Sequence, residues 1–362
     1  MKLHLIFIGN QFVYNRSLKE YVLRRIENES LFISFTTYFK SNDNSLFLYL
    51  EERLNSCDKI IIITSKKNFS TIGKLICTVT SDNQVLNADM LIPQKASLFE
   101  PRSYLLEYNN TIVNVMQIDE GELMPQVLMP SNETQATVYV VEEKEDMLVT
   151  VLTPIAQMYE VSFSVTQEVE GFSRIDISSK RYGEISKFIY GAKKLLPKKL
   201  IVSANIITYI IEKLSSVGKK VSFAESCTGG LLAYYFTQEN GASKILDGSL
   251  VTYSNDLKEN WLAVSNQTLR AYGAVSANVV EEMSEGVMNV SSADYTISIS
   301  GIAGDGGGSI EKPVGTVYIG VRSKSEHLQE HLLLHGDRNY IQHQSALYAI
   351  KMLLLIDKET FF

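Results

Sequence analysis

Ala224-Glu225-Ser226-Cys227-Thr228-Gly229-Gly230 stands between a β-prone run containing Val221 and Phe223 and the apolar stretch Leu231 to Phe236. The order reads as strand, tight turn and helix. Ser226 and Thr228 bring hydroxyls to a helix N-terminus, and the glycines bring accessible backbone N–H groups. Partial positive charge there favours an anion or a developing oxyanion. A cap at Ser226 or Thr228, with close packing at the glycines, accounts for the same residues. The turn therefore decides the local fold and leaves its chemistry to the neighbouring segments.

Upstream, Ile206, Ile207, Ile210, Ile211 and Leu214 mark one face of a helix ending near Val217-Gly218. Downstream, Ser249 to Thr252 reads as a strand running into Tyr253-Ser254-Asn255-Asp256-Leu257-Lys258. Asn255 is expected to cap a helix over 256–264, which puts Tyr253 at a strand end and Lys258 in a first turn, both within reach of one pocket. Ser276 caps a helix through Val290, and Tyr295 to Ser300 is a strand that breaks at Gly301-Ile302-Ala303-Gly304-Asp305-Gly306-Gly307-Gly308-Ser309. Such a loop presents backbone N–H groups to a phosphate or carboxylate, although plain connections share its composition. Val314 to Val321 and Leu328 to Leu334 pair as strands. Gly336-Asp337-Arg338 opens a last helix through Leu355, with Asp337 as its cap and Arg338 as an anion ligand. His327, His331 and His335 have metal-ligand spacing only on a helix. On a strand they spread along one face, and no metal site is expected.

Before this region, Leu3 to Ile8, Leu31 to Phe39 and Lys59 to Thr64 read as strands, alternating with helices over Ser17 to Asn28 and Leu46 to Ser56. That alternation predicts a parallel α/β sheet. Ligands in such sheets bind beyond the strand carboxyl ends, here Gly9-Asn10-Gln11 and Thr64-Ser65-Lys66-Lys67. Neither loop has a glycine run for phosphate or paired carboxylates for metal, so a structural or oligomerising role is expected. A strand over Ile112 to Met116 is followed by Glu120 to Leu128, interrupted by Pro125, and a polar linker Ser131-Asn132-Glu133. Thr137 to Val141 and Leu148 to Leu152 read as a hairpin about the acidic turn 142–146. Strands over Tyr159 to Thr166 and Arg174 to Ser178 and a helix over Gly183 to Leu195 complete a small α+β unit. Lys193-Lys194 and Lys198-Lys199 read as a solvated helix end and linker. The expected domains are 1–130, 131–198 and 199–362.

A chain of 362 residues with a formal net charge of −7 fits two or three globular domains. Its basic residues are scattered, so nucleic acid is not an expected partner. Cys57, Cys77 and Cys227 have no CxxC or metal-type spacing, which suits a reducing cytosol without disulfides. No apolar run reaches membrane length, so a cytoplasmic protein is expected, without export or membrane insertion.

A serine hydroxyl needs a base to become a nucleophile near neutral pH, and a desolvated lysine of lowered pKa can serve. Ser226, Lys258 and Tyr253 would supply nucleophile, base and proton relay. Cys227 competes as nucleophile, but no histidine stands nearby in the sequence to form its thiolate.

Several ordered motifs carry a resemblance. AESCTGG at Ala224 to Gly230, TYSN with the following lysine at Thr252 to Lys258 and GAVS at Gly273 to Ser276 are joined by SGIAG at Ser300 to Gly304, KPVGTV at Lys312 to Val317 and GDR at Gly336 to Arg338. In these the C-terminal part resembles the CinA (competence/damage-inducible) family, whose C-terminal domain is a nicotinamide-nucleotide amidase. The resemblance implies hydrolysis of nicotinamide mononucleotide to nicotinate mononucleotide and ammonia, as in NAD salvage, without metal or other cofactor. It implies Ser226 as nucleophile, Lys258 as base and Tyr253 as the orienting or relaying group. Arg338 and the turn Gly301 to Gly304 would bind the substrate or its phosphate. The turn itself suggests N–H groups near Thr228 and Gly229 as oxyanion donors. Where the family continues SGIAG with proline, this chain has Asp305, which adds negative charge.

The N-terminal part is similar in order to the family's molybdopterin-binding-like domain, followed by its small middle domain. Gly9-Asn10-Gln11-Phe12 stands where that domain has a GTELL-like turn, and Thr64 to Lys74 where a GGLGPT-type loop is usual. The family's metal-dependent ADP-ribose pyrophosphatase activity is accordingly expected to be absent. The resemblance also suggests a homodimer through this domain. A non-catalytic nucleotide-binding or scaffold protein of the same family is the alternative.

Overall fold

The computed structural model describes every residue except 1, 28, 30, 32, 57, 131–133, 180–183 and 305, and only the backbone of 134. The expected linker Ser131-Asn132-Glu133, Cys57, the helix start at Gly183 and the charge at Asp305 lie outside the described residues. Two compact units result, 1–132 and 133–362. The boundary expected near 198 falls inside the second.

In the first unit, β1 (Leu3–Ile8), β2 (Ile33–Phe39), β3 (Lys59–Thr64) and β8 (Thr111–Gln117) form a parallel set in the order β2-β1-β3-β8. Helices α1 (Asn10–Tyr14), α2 (Arg16–Glu27), α3 (Leu46–Leu54) and α4 (Lys66–Thr80) alternate with these strands. β1 and β3 are buried throughout, since α2 packs on one face of the sheet and α3 and α4 on the other. The sheet is not wholly parallel. β4 (Gln84–Asn87) and β5 (Met90–Pro93) form a separate hairpin, and β6 (Leu98–Glu100) and β7 (Ser103–Tyr108) extend the main sheet antiparallel beyond β8. Asn109 and Asn110 turn β7 into β8 with φ of 46° and 64°, the left-handed pair that a two-residue hairpin needs. Residues 120–128 form no helix, as Pro125 implies.

The second unit stacks helices and sheets alternately. β10 (Ser162–Val169), β11 (Phe172–Ser179), β9 (Thr134–Val141) and β12 (Leu200–Val202) form an antiparallel sheet in that order. α5 (Glu145–Met158) and α6 (Glu184–Leu195) cover one face, packing Leu148, Leu152, Ile185 and Phe188 against Val138, Val140, Ile175 and Ile177. The expected hairpin is thus corrected: Leu148 to Leu152 belongs to α5. The β-branched Val149, Thr150, Val151 and Thr153 favour a strand locally. Leu148, Leu152 and Ala156 nonetheless repeat at helical spacing, and Glu145 and Asp146 sit in the first turn, where a helix favours acid.

The other face of that sheet, with Tyr139, Val141, Phe172 and Ile201, shares one core with α7 (Ile206–Ser216), α8 (Leu231–Thr237) and α12 (Arg338–Ile356). Beneath these helices lies a five-stranded sheet ordered β14 (Leu246–Val251), β13 (Val221–Glu225), β15 (Tyr295–Gly301), β16 (Thr316–Ser323) and β17 (His327–Leu333). The first three are parallel, and β16 and β17 run antiparallel. α9 (Asn255–Leu262), α10 (Asn266–Tyr272) and α11 (Ala277–Val290) close its far face through Leu262, Leu269, Val279, Met283 and Val287. The second half of α12 is apolar nearly all round apart from Lys351, with Tyr348 to Leu354 buried without a break, because it is sandwiched between two sheets. A last turn, α13 (Lys358–Phe361), is pinned by Lys219, whose Nζ donates to Asp357 Oδ2 at 2.9 Å and to the Tyr295 hydroxyl at 2.6 Å.

Candidate active site

The carboxyl ends of β13, β14 and β15 deliver three segments far apart in the sequence to one place. β13 ends at Glu225 and turns through Ser226 to Gly230 into α8. β14 runs on through Thr252, whose N–H extends the ladder by donating to Glu225 O at 2.9 Å. β15 ends at Gly301, where an added Cβ would lie 3.1 Å from the Cys227 sulfur. Helices flank both sides of this edge, the usual position for a ligand crevice in an α/β sheet.

Ser226 and Lys258 meet here. Lys258 Nζ lies 3.0 Å from Ser226 Oγ and donates to Thr252 O at 2.7 Å. Lys258 is 1% exposed and Ser226 7%. The helix carrying the lysine starts one residue earlier than expected: Ser254, not Asn255, is the cap, its hydroxyl accepting from Leu257 N at 3.2 Å. α9 then turns Lys258 and Leu262 inward together. Burial destabilises the ammonium and pulls the Lys258 pKa down to about 8, so a useful fraction of neutral amine is present near neutral pH. Cys227 differs. Burial pushes its thiol up to about 12, which leaves no thiolate to act.

Tyr253 is not brought to this pair. Its side chain is 64% exposed and makes no hydrogen bond to Ser226 or Lys258. Consecutive residues of an extended segment point to opposite sides, and Thr252, fully buried, takes the inward position. The hydrogen bond that holds Lys258 beside Ser226 goes to the Thr252 carbonyl, one residue before the tyrosine expected to orient or relay the proton.

The turn also differs from expectation. Gly229 N–H donates to Ser226 O at 3.1 Å, and Leu231 N–H to Thr228 O at 3.1 Å. Gly230, Leu232 and Ala233 all donate to the carboxylate of Glu225 at 3.0 Å. The N–H of Gly229 is thus corrected from a free oxyanion donor to one already engaged. The N–H groups of Cys227 and Thr228 lie toward the Cys227 sulfur. Thr228 is 3% exposed, and its hydroxyl is buried without a partner among the described residues. Glu225 was missed because a carboxylate at a strand end gives no sign in the sequence that it folds back over the helix behind it.

Arg338 and Gly304 are brought together. A Cβ on Gly304 would fall 2.0 Å from Arg338 Nη2, so the guanidinium rests directly against this glycine. Asp337 caps α12 by accepting from Tyr340 N at 2.8 Å, which sets Arg338 at the first helical position. Gln342, one turn on, donates to Cys227 O at 2.6 Å and ties this helix to the Ser226 to Gly230 turn. Lys312 donates to the carbonyls of Tyr272 and Val275 at 2.6 and 2.7 Å and holds the segment around Gly273.

The histidines lie on and just beyond β17, as read. His331 stacks on Tyr318 at 4.3 Å and His327 faces Glu281. Among the described residues no group of three or more His, Cys, Asp or Glu side chains is placed to hold a metal, and no helix is long and apolar enough to cross a membrane. Cys77 and Cys227 are free and buried.

Residues 203–356 match the family model described as the CinA C-terminal domain. A CinA-like protein of Thermotoga maritima is 44% identical over 144 residues, covering 40% of this chain and 35% of that protein. A CinA-like protein of Prochlorococcus marinus strain MIT 9312 is 37% identical over 216 residues, covering 56% and 49%. The chain spans less than half the length of these curated relatives. Among solved structures, the competence/damage inducible protein CihA from Agrobacterium tumefaciens is 36% identical, covers 42% of this chain and 93% of its own, and has a TM-score of 0.42.

Proposed function

Because the chain belongs to the CinA family through this C-terminal domain, we propose that it hydrolyses the carboxamide of nicotinamide mononucleotide, releasing ammonia and nicotinate mononucleotide. The observation that carries this reading is the buried contact of 3.0 Å between Lys258 Nζ and Ser226 Oγ. Neutral Lys258 takes the serine proton as Oγ attacks the carboxamide carbon. The resulting ammonium returns that proton to the leaving nitrogen, ammonia departs, and an acyl ester remains on Ser226. Water, deprotonated by the same amine, then attacks the ester, and the ammonium gives that proton to Ser226 Oγ as the carboxylate product leaves.

Developing charge on the carbonyl oxygen falls to the Thr228 hydroxyl, which is buried without a partner among the described residues. Gly229 leaves open space on its Cβ side for the acyl group, whereas Gly301 lets the end of β15 pack closely against Cys227 and Val317. The phosphate is assigned to Arg338 against Gly304, where a planar fork suits two phosphate oxygens. Tyr253, at the rim, contacts substrate from the solvent side and serves as an auxiliary group. The protein is placed in the cytoplasm and acts without metal or redox cofactor. The N-terminal unit serves assembly as a homodimer and carries no pyrophosphatase activity.

The test is ammonia release from nicotinamide mononucleotide by the purified chain with chelator present. Wild type and Cys227→Ser should release ammonia, while Ser226→Ala and Lys258→Ala should fall by about 1,000-fold or more. No release from wild type, with the nucleotide still raising thermal stability, would mean a binding or scaffold protein instead.

A further inference from the structure

Glu225 is fully buried, yet it is an acid and the residue just before the serine. Both carboxylate oxygens are doubly engaged. Oε2 accepts from Gly230 N and Leu232 N, and Oε1 from Ala233 N and Ser249 Oγ, all at 3.0 Å. These four bonds satisfy the ionised form, the condition under which a buried charge is tolerated. Its backbone is equally committed. Glu225 O accepts from Thr252 N, Thr252 O accepts from Lys258 Nζ, and Ser226 N donates to Ile299 O.

We propose that Glu225 is the positioning residue of the Ser226–Lys258 pair, its carboxylate acting as a built-in anion that closes the start of α8 and clamps the nucleophile turn to β14. The side chain holds three donors, from the last residue of the turn and the first turn of α8, and a hydroxyl on the neighbouring strand, so Ser226 to Gly229 cannot shift independently. The same strand leads directly to the carbonyl that holds the lysine. Ser226 and Lys258 are thereby fixed relative to each other through one acid whose carboxylate bonds to neither side chain. A second consequence concerns substrate. The positive end of α8 is neutralised from inside, which sends the nucleotide phosphate to Arg338.

The role of the pair rests on the amidase reading, but the placement of the lysine can be measured without turnover. Competitive labelling of Lys258 with acetic anhydride across pH, read by mass spectrometry in the full chain, reports its titration midpoint. Glu225→Asp keeps the charge and shortens the reach by one methylene, so the clamp opens and Lys258 gains water. Its midpoint should move up from about 8 toward the 10.5 of a solvated lysine. With nicotinamide mononucleotide, kcat should fall by about 100-fold, as a displacement near 1 Å can cause, with KM within about threefold of wild type. Ser249→Ala removes one bond of the four and should move the midpoint in the same direction by less. It also supplies the labelling result if the aspartate variant does not fold cooperatively. A purely structural role would lower the melting temperature and leave the midpoint where it is. A folded Glu225→Asp, or failing that Ser249→Ala, with the wild-type midpoint overturns the proposal. Silence of the wild type toward the nucleotide, with the midpoint still displaced, would refute the amidase reading alone.

Discussion

Lys258 is buried as a base and charged as a lysine, and this tension is measurable. Because only the neutral amine accepts the serine proton, kcat/KM for ammonia release should rise with pH through a midpoint of about 8 and then level off. The same shift bears on stability. The folded pKa lies below the unfolded one, so the unfolded chain binds more protons between about pH 8 and 10.5, and stability rises with pH across that window. Below it the folded state carries the full cost of a buried ammonium. Lys258→Met should therefore stabilise the protein at pH 7 by about 1–2 kcal/mol in urea titration while abolishing turnover. Tyr253→Phe should cost less than about tenfold in kcat, since the hydroxyl makes no bond to the pair; a loss comparable with Lys258→Ala would put the tyrosine back in the relay. Ser226 and Lys258 were legible because their residue types and flanking strand ends indicate a site. Tyr253 and Glu225 were not, for one reason: which side of a strand end a residue faces depends on the neighbouring strand, and the sequence of one strand does not contain it.

Gly286 and Gly304 show how elements meet, and they fail differently. An added Cβ at Gly286 of α11 would lie 2.0 Å from the backbone oxygen of Leu262, the last residue of α9. Backbone cannot swing aside, so Gly286→Ala should destabilise by about 3 kcal/mol and lower kcat by moving the helix that carries Lys258. At Gly304 the clash is with the far end of the Arg338 side chain, which can move. Gly304→Ala should leave the melting temperature within about 2 °C and raise KM for the nucleotide about tenfold, the loss of one charge-assisted contact. An unchanged KM would remove Arg338 from the phosphate site. Elements with a clean period were legible: α7 from its isoleucines, β3 from Ile60 to Ile63, α11 from Ser276. α5 was hidden by β-branched residues that packing overrode. The strands β4 to β6 were passed over because they have only three or four residues, and the turns at β4–β5 and β7–β8 use Ala88-Asp89 and Asn109-Asn110 in place of the glycine that usually announces a hairpin.

The second unit is one body by its core, since Tyr139, Phe172 and Ile201 pack with the isoleucines of α7 and the interior of α12. A fragment from residue 134 to 362 should fold cooperatively and release ammonia from nicotinamide mononucleotide at the rate of the full chain. One beginning at 199 should bind a hydrophobic dye and aggregate, because it bares an apolar helical face that the antiparallel sheet covers. Equal solubility of the two fragments would show that the sheet is dispensable. The composition of the chain allowed two or three domains but not this sharing, because each apolar face is visible in the sequence and its partner is not. The place of α12 has a further consequence for synthesis. Both sheets of this unit are made before residue 338, and each turns an apolar face toward a helix that does not yet exist. A ribosome therefore carries two sheet faces covered only in part, by α7 and α8, until Arg338 to Ile356 has been made, and the shared core closes around that helix in one late step.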